Sequence, residues 1–361
     1  MPIDIAINGR FLTQPITGVQ RYARELLAAF DILIGQRNDI RIRLLTPRLQ
    51  TAPPLKHIRH ETIGRLQGHA WEQLELPRHV SNEILFCPGN TAPLSMLGRK
   101  RVVVTVHDLS YLYFPDAYSR SFRLLYNLAM PLVMRKASAV ITVSESERAA
   151  ILQHYPVVAP RICAIQNGGA PHHTSIIPVA QGPGPYVLYV GSLSIRKNFK
   201  GMLEVAQRLT ERRQLRFVFV GSTPAGLIRD LANGIAPSVG DRVRFTGQVD
   251  DWPTLHRYYA GAACFFFPSF YEASPLPPIE AMASGCPVIA ARIPSLVERC
   301  GEAALYCDPH SVEDMCEQIE RLLDDPSLRE SLRARGYQRA QGFTWETCAS
   351  KTLETIIGNR G

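Results

Sequence analysis

Apolar positions along this 361-residue chain follow two alternating rhythms. Short runs rich in Val, Ile and Phe predict strands over 3–8 (IDIAIN), 40–46, 83–87, 101–106, 139–144 and 161–167. Between the first two, GVQRYARELLAAFDIL sets Val19, Tyr22, Ala23, Leu26, Leu27 and Phe30 at helical spacing. The second half resumes with YVLYVG, RFVFVG, VRFTG, ACFFFPS, PVIAA and ALYCD, again with helix-length segments between. Such alternation predicts parallel sheets covered by helices on both faces. The Pro- and Gly-dense stretch IIPVAQGPGPY (176–186) separates the halves. Two Rossmann-like α/β domains are therefore expected, 1–178 and 184–344. The tail breaks the rhythm: 311–324, 326–341 and 345–358 are helical patterns with no strand to serve, punctuated by Pro326 and Gly342–Phe343–Thr344. The last, 345–361, is expected to pack back on the first domain.

Size agrees with two domains, because single cores stop growing near ~250–300 residues. A 46% hydrophobic and 20% charged composition suits a globular protein in water. No apolar run reaches the ~18 residues of a membrane span, and MPIDIAINGR, with Asp4 and no long apolar segment, reads as no signal peptide. The eight cysteines are scattered without C-x-x-C or zinc spacing, which fits small core hydrophobes in a reducing cytosol. A cytoplasmic location follows as the expectation. The net charge of +8 is uneven: residues 1–180 hold 20 Lys and Arg against 12 Asp and Glu, and the rest cancels. GRKR (98–101), MRKA (134–137) and RNDIRIR (37–43) carry much of the excess. This is either a solvated surface or an attraction to anionic headgroups or a lipid diphosphate. Nucleic acid is disfavoured, since no recognition motif accompanies the charge.

Ligands of open parallel sheets bind beyond the carboxyl ends of the strands. His107–Asp108 follow one such end, SLSIRKNFKG another, Gln248–Val249 a third and FYEASPLPPIE a fourth. In GSLSIRKNFKG (191–201), Arg196 and Lys197 precede Asn198, a candidate helix N-cap, so point charge and free N–H groups converge as a phosphate site would need. A solvated basic loop is the plain alternative. There is no Walker A sequence and no G-x-G-x-x-G, which weakens a nicotinamide dehydrogenase. Further on, Glu272 and Glu280 stand eight positions apart. Pro278 and Gly285 bracket one short helix, with Glu280 in its first turn and Glu272 on the loop before it. Each carboxylate could accept from vicinal hydroxyls of a sugar, or Glu280 could simply favour the helix dipole.

FPSFYEASPLPPIEAMASGCPVIAA resembles the E-x7-E signature of retaining GT-B glycosyltransferases of family 4, which use nucleotide sugars. GSLSIRKN, TGVQRYARELL, VVVTVHDLSYLYFP, SAVITVSESER and IQNGG are similar, in the same order, to a bacterial polysaccharide subgroup that includes mannosyltransferases. The resemblance implies the GT-B plan: two Rossmann-like domains with parallel sheets facing across a cleft, the first binding acceptor and the second the nucleotide sugar. It implies that Glu280 binds ribose hydroxyls, Glu272 holds the donor sugar, and Lys197 with Arg196 neutralises the diphosphate leaving group. Gly18 would let backbone approach that diphosphate, His107 would contact the transferred sugar, and Val249 would lie beside the base. Ser274, Pro275 and Leu276 would line the donor between the two glutamates. No metal and no cofactor are implied, the donor, expected to be GDP-linked, being a substrate. The acceptor would be a saccharide or a polyprenyl-diphosphate-linked chain at the inner membrane face. Two departures stand out: Ala273–Ser274–Pro275 where many relatives have Gly-Phe-Gly, and Ser192 where many have arginine.

Three other readings compete. A nucleotide-sugar epimerase shares the two-domain plan but should carry its acids at other strand ends. A non-catalytic sugar-nucleotide-binding subunit would bind without releasing nucleotide diphosphate. A retaining hydrolase needs an acid and a nucleophile ~5 Å apart, and nothing marks that pair. His172–His173 read as loop histidines rather than a metal pair, and Trp71 either packs a helix or lines the acceptor side.

Overall fold

The computed structural model describes residues 2–169, 185–222 and 242–358. Most of the 176–186 linker and the pair His172–His173 lie outside the described residues. The chain divides into two compact units, Met1–Gly168 with Trp345–Gly361, and Gly169–Thr344.

The first unit is built on strands β1 (Ile3–Asn8), β2 (Ile40–Thr46), β3 (Arg59–Thr62), β4 (Ile84–Cys87), β5 (Val102–Thr105), β6 (Ala139–Thr142) and β7 (Ile162–Ala164). They form one parallel sheet in the order β3-β2-β1-β4-β5-β6-β7. Strands β4, β5 and β6 are buried at every residue. Covered on both faces, they read in the sequence as unbroken apolar runs. Strand β3 is the one the hydrophobic pattern missed. Its sequence RHET has no apolar side chain, and it closes the sheet as a polar edge. Helix α1 (Gly18–Ile34) covers the sheet with Tyr22, Ala23, Leu26, Leu27 and Phe30 buried, the face expected from their spacing. Two further helices, α2 (Arg120–Lys136) and α3 (Glu145–His154), follow β5 and β6.

The described part of the second unit repeats the plan. Strands β8 (Tyr186–Val190), β9 (Arg216–Val220), β10 (Val243–Gly247), β11 (Cys264–Phe267), β12 (Val288–Ala291) and β13 (Ala304–Cys307) pair in the order β10-β9-β8-β11-β12-β13. Helices α4 (Phe199–Arg212), α5 (Trp252–Gly261), α6 (Pro277–Ala283), α7 (Pro294–Cys300), α8 (Val312–Asp324) and α9 (Pro326–Gln341) surround them. In both sheets the first strand sits between two later ones, so chain order reverses between β1 and β4 and between β8 and β11. Loops leaving the carboxyl ends there diverge and open a crevice for ligand. The ends of β8 and its other neighbour, β9, crowd. A Cβ on Gly221 would stand 1.9 Å from the carbonyl oxygen of Gly191, so no larger residue fits.

The last helix, α10 (Trp345–Gly358), belongs to the first unit. Trp345, Cys348, Ala349, Thr352, Leu353 and Ile356 recur every three or four residues and are buried, and the helix packs on α1. Trp345 anchors it: its ring meets Tyr22 at 6.0 Å between centroids, and a Cβ on Gly168 would lie 2.4 Å from the indole. Removing a buried tryptophan costs ~3–5 kcal/mol. Trp345→Ala should therefore lower the first unit's unfolding free energy by that amount, seen as a fall in its urea midpoint. An unchanged midpoint would show that the helix is not held there by its tryptophan.

Candidate active site

The residues singled out by strand-end position in the second unit come together. Lys197 ends the loop after β8 and Glu272 lies on the loop after β11, the two strands flanking the order reversal. The Lys197 ammonium pairs with Glu272 Oε1, and Arg196 Nη1 lies 3.6 Å from Oε2. All three side chains are largely buried. Lys197 Nζ also stands 5.2 Å over the Phe267 ring, where a cation meets the negative face of the π system. Arg196 Nη1 donates to the Tyr271 carbonyl at 3.0 Å, and Phe270 N–H returns a bond to the Arg196 carbonyl at 3.0 Å. The two loops are thus laced together.

Asn198 occupies the N-cap position of α4, but not as a side-chain cap. It is buried with φ 59°, a left-handed conformation that asparagine tolerates, and its amide donates to the Pro309 carbonyl at 2.7 Å. That bond ties the basic loop to the turn after β13. Helix α6 opens with Pro277–Pro278, and Gly285 follows it at φ 70°, the left-handed end glycine provides. Glu280 lies in its first turn, fully buried, and Oε2 accepts from the Tyr259 hydroxyl at 3.0 Å. Between the glutamates, Ser274, Pro275 and Leu276 are buried, and Arg299 Nε donates to the Pro275 carbonyl at 2.8 Å. The Arg299 guanidinium is itself stacked 4.6 Å from the Phe343 ring. Val249 is half-buried against the second unit's core, while Gln248 is exposed and bonded to Asp250.

In the first unit, His107 follows β5 and is buried. Its backbone N–H donates to Asn90 Oδ1 at 2.7 Å, Nε2 meets the Pro88 carbonyl at 2.8 Å, and Tyr22 lies edge-on at 4.7 Å. The carbonyl partner places the proton on Nε2. Burial pushes the imidazole pKa down, so the ring is neutral at pH 7. Asp108 accepts from the backbone and side chain of Ser110, an orienting role. Gly18 opens α1 on the surface, and a Cβ placed there would meet nothing within 4 Å.

Residues 16–169 match the family described as Glycosyltransferase Family 4, and residues 184–325 match Glycosyl transferases group 1. O-antigen chain mannosyltransferase B of Escherichia coli is 31% identical over 266 residues, covering 70% of this chain and 69% of that protein. The chain belongs to the group 1, family 4 glycosyltransferases. The serotype-specific mannosyltransferase WbdA of Escherichia coli is 26% identical over 379 residues; that match takes in 98% of this chain but 44% of the longer relative. A structure of Anabaena HepE in complex with UDP-glucose superposes with a TM-score of 0.71 at 20% identity, covering 99% of this chain and 100% of that one. At that identity the likeness speaks for the fold alone, which is of the GT-B class. Neither an epimerase nor a non-catalytic subunit finds support among these relatives.

This glycosyltransferase holds a second polar centre that strand-end reasoning did not pick out. Glu72, fully buried, gathers side chains at the β1/β4 reversal. Oε1 accepts from Asn8 Nδ2 (2.6 Å) and Arg10 Nε (3.2 Å), Oε2 from Thr91 Oγ1 (2.8 Å), and His69 Nδ1 lies 3.3 Å from Oε2. Arg10 Nη2 donates to Thr91 at 2.9 Å. Asn8 ends β1 and Arg10 follows it, so applying the strand-end rule to IDIAIN would have flagged both. Glu72 had no such signal, for it sits in an irregular connection. Its neighbour Trp71 is a packing tryptophan, buried with Nε1 donating to the Ile63 carbonyl at 2.8 Å.

Burial opposes the charge on Glu72, but His69, the Arg10 cation, Thr91 and Asn8 outweigh it and bring the carboxyl down to about 2. A folded-state value below the unfolded one means the stabilisation is full above pH 4.5 and is lost as pH falls toward 2. A shift of that size is worth on the order of 3 kcal/mol. Glu72→Gln should forfeit most of it at pH 7 and flatten the decline of stability between pH 4.5 and 2, read from urea midpoints across that range. An identical acid slope in both proteins would contradict the assignment.

Proposed function

We propose that this glycosyltransferase is a retaining, metal-independent hexosyltransferase. It moves mannose or a related hexose from a nucleotide diphosphate sugar, GDP-linked, onto a growing surface polysaccharide or lipid-linked oligosaccharide. The observation that carries the proposal is the convergence of Lys197 and Arg196 on Glu272 at the β8/β11 reversal. The names of the mannosyltransferase relatives support the sugar and the product class.

Transfer creates negative charge on the departing diphosphate. Lys197 and Arg196 would meet that charge as it develops, an electrostatic transition-state stabilisation that would supply the role a metal ion could play. Glu272 meets only those two cations among the described residues. A carboxylate has about four lone-pair sites, so it keeps capacity for the donor sugar's hydroxyls. Glu280 would take the ribose, Val249 would border the base, and Ser274, Pro275 and Leu276 would wall the donor. His107, neutral, would offer Nδ1 to the transferred sugar. Gly18 would admit the diphosphate to the start of α1: neither a positive φ nor crowding accounts for a glycine there.

The test is a donor screen scored by nucleotide diphosphate release. Lys197→Ala and Glu272→Ala should each lose roughly 10²–10³ in rate while keeping the circular dichroism of the parent. Excess chelator should leave the parent's rate intact. Near-normal turnover by either folded variant would sink the roles given to this pair.

The acceptor reading adds a membrane contact. No described helix is long and apolar enough to span a bilayer. The first unit instead offers charge: Arg99 and Lys100 are exposed, though Lys100 also bonds the Ser81 carbonyl and Arg101 the Ile356 carbonyl. Helix α2 holds Arg120, Arg123, Arg135 and Lys136 without an acid, and exposes Leu124 (64%) and Leu128 (63%) one turn apart. Such a surface suits the inner face of the cytoplasmic membrane, at ~1 kcal/mol per basic residue near anionic lipid. The protein should co-sediment with anionic vesicles at low salt and release near 1 M, where the Debye length is ~3 Å. Neutralising Arg99, Lys100 and Arg101 should weaken the association while donor hydrolysis persists. If sedimentation is absent at low salt, or indifferent to salt, the basic half is a solvated surface.

A further inference from the structure

We infer that the ring of His69, held by Glu72 at the carboxyl edge of the first sheet, binds a hydroxyl of the saccharide acceptor, with Arg10 beside it. The inference rests on the transferase reading above and assigns the acceptor's sugar end, rather than any diphosphate, to this place.

Of the charged and imidazole groups of the Glu72 centre, His69 is the one that reaches solvent, its side chain being 36% exposed against 7% for Arg10 and 1% for Glu72. With Nδ1 donating to the carboxylate at 3.3 Å, the tautomer is set and Nε2 presents a lone pair. Nε2 has no partner among the described residues. On the same carboxylate, Arg10 spends Nε on Glu72 and Nη2 on Thr91, which leaves the Nη1 donors. A lone-pair acceptor and an N–H donor around one centre are what a hydroxyl group needs, since it gives one hydrogen and takes another. Charge points the same way. Glu72 and Arg10 cancel, so the centre has no net pull on an anion, and its carboxylate would repel a phosphate held near His69.

The segment carrying these residues is pinned far beyond what a connection between β3 and β4 requires. Trp71–Glu75 is a π-helical turn, a rare form that recurs at functional sites. Trp71 anchors it in the core, Gln73 bonds the Ala92 carbonyl (3.0 Å) and the Leu94 N–H (2.9 Å), and Glu75 receives the N–H groups of Arg65 and Leu66. Asn8 and Thr91 then fix Glu72 to the ends of β1 and β4, where ligands of such sheets bind. Burying a carboxylate and a guanidinium gives little net stability; a rigidly aimed imidazole is what the arrangement produces.

The experiment titrates the full chain with α-linked mannobiose and follows the histidine ring ¹H–¹⁵N signals. The His69 resonances should shift saturably in the parent. His69→Ala and His69→Phe should each weaken binding about tenfold, the worth of one hydrogen bond. Nucleotide diphosphate release without acceptor should be unchanged in both. A silent His69 in the parent, or full affinity in His69→Phe, which keeps the ring but not its nitrogens, would overturn the assignment. Should no nucleotide sugar be turned over by the parent, the transferase reading falls on that ground, and the mannobiose titration still decides whether His69 binds sugar.

Discussion

A buried charge must find its opposite, and each unit meets that demand at the point where its strand order reverses. In the second unit the pair is Lys197 with Glu272; in the first it is Arg10 with Glu72. The Lys197–Glu272 pair joins the loops after β8 and β11; the Arg10–Glu72 pair joins the end of β1 to the connection between β3 and β4. The two differ in how completely they are satisfied. Glu72 is surrounded by Asn8, Arg10, Thr91, His69 and Gln73, which makes it a fixed support. Among the described residues Glu272 faces two cations only, so part of its accepting capacity is unspent. Buried pairs seldom add stability over an apolar substitute. Their retention at both reversals is better understood as the cost of holding charge where a polar ligand arrives.

Rigidity around the second pair comes from outside it. Asn198 reaches to Pro309, Arg196 to Tyr271 and Arg299 to Pro275, each a side chain bonded to the backbone of another loop. Backbone carbonyls are good anchors because they do not move with a side-chain rotamer. The stretch between Glu272 and Glu280 is therefore set by Arg299 and by the proline-opened α6.

Much of this was legible in the residues. Strands with both faces covered announced themselves as apolar runs, and the three tail helices by their spacing and their Pro and Gly stops. Lys197 and Glu272 were visible because they follow such strands directly. What escaped had no apolar signature. Strand β3 is polar because only its backbone is needed at an edge. Glu72 sits in a π turn, with His69 just before it, whose position depends on Trp71 and Gln73 finding distant partners. Asn198 looked like an ordinary cap, and only the carbonyl of Pro309, 111 positions away, draws its side chain elsewhere. Arg299, a lone arginine in LVERC, gave no hint that it braces the loop between the two glutamates.

The first unit is discontinuous, its sheet made before the second unit and its helix α10 after it. On the ribosome, β1 to β7 emerge with the surface around Tyr22 and Gly168 uncovered, and Trp345 is translated 177 residues after Gly168. At ~5–20 residues per second that is a delay on the order of 10–35 s. The second unit, contiguous from Gly169 to Thr344, can complete its own core in that interval. The half synthesised first is thus the half finished last. A nascent chain of this protein passes through a stage in which its first sheet has an apolar face that awaits α10.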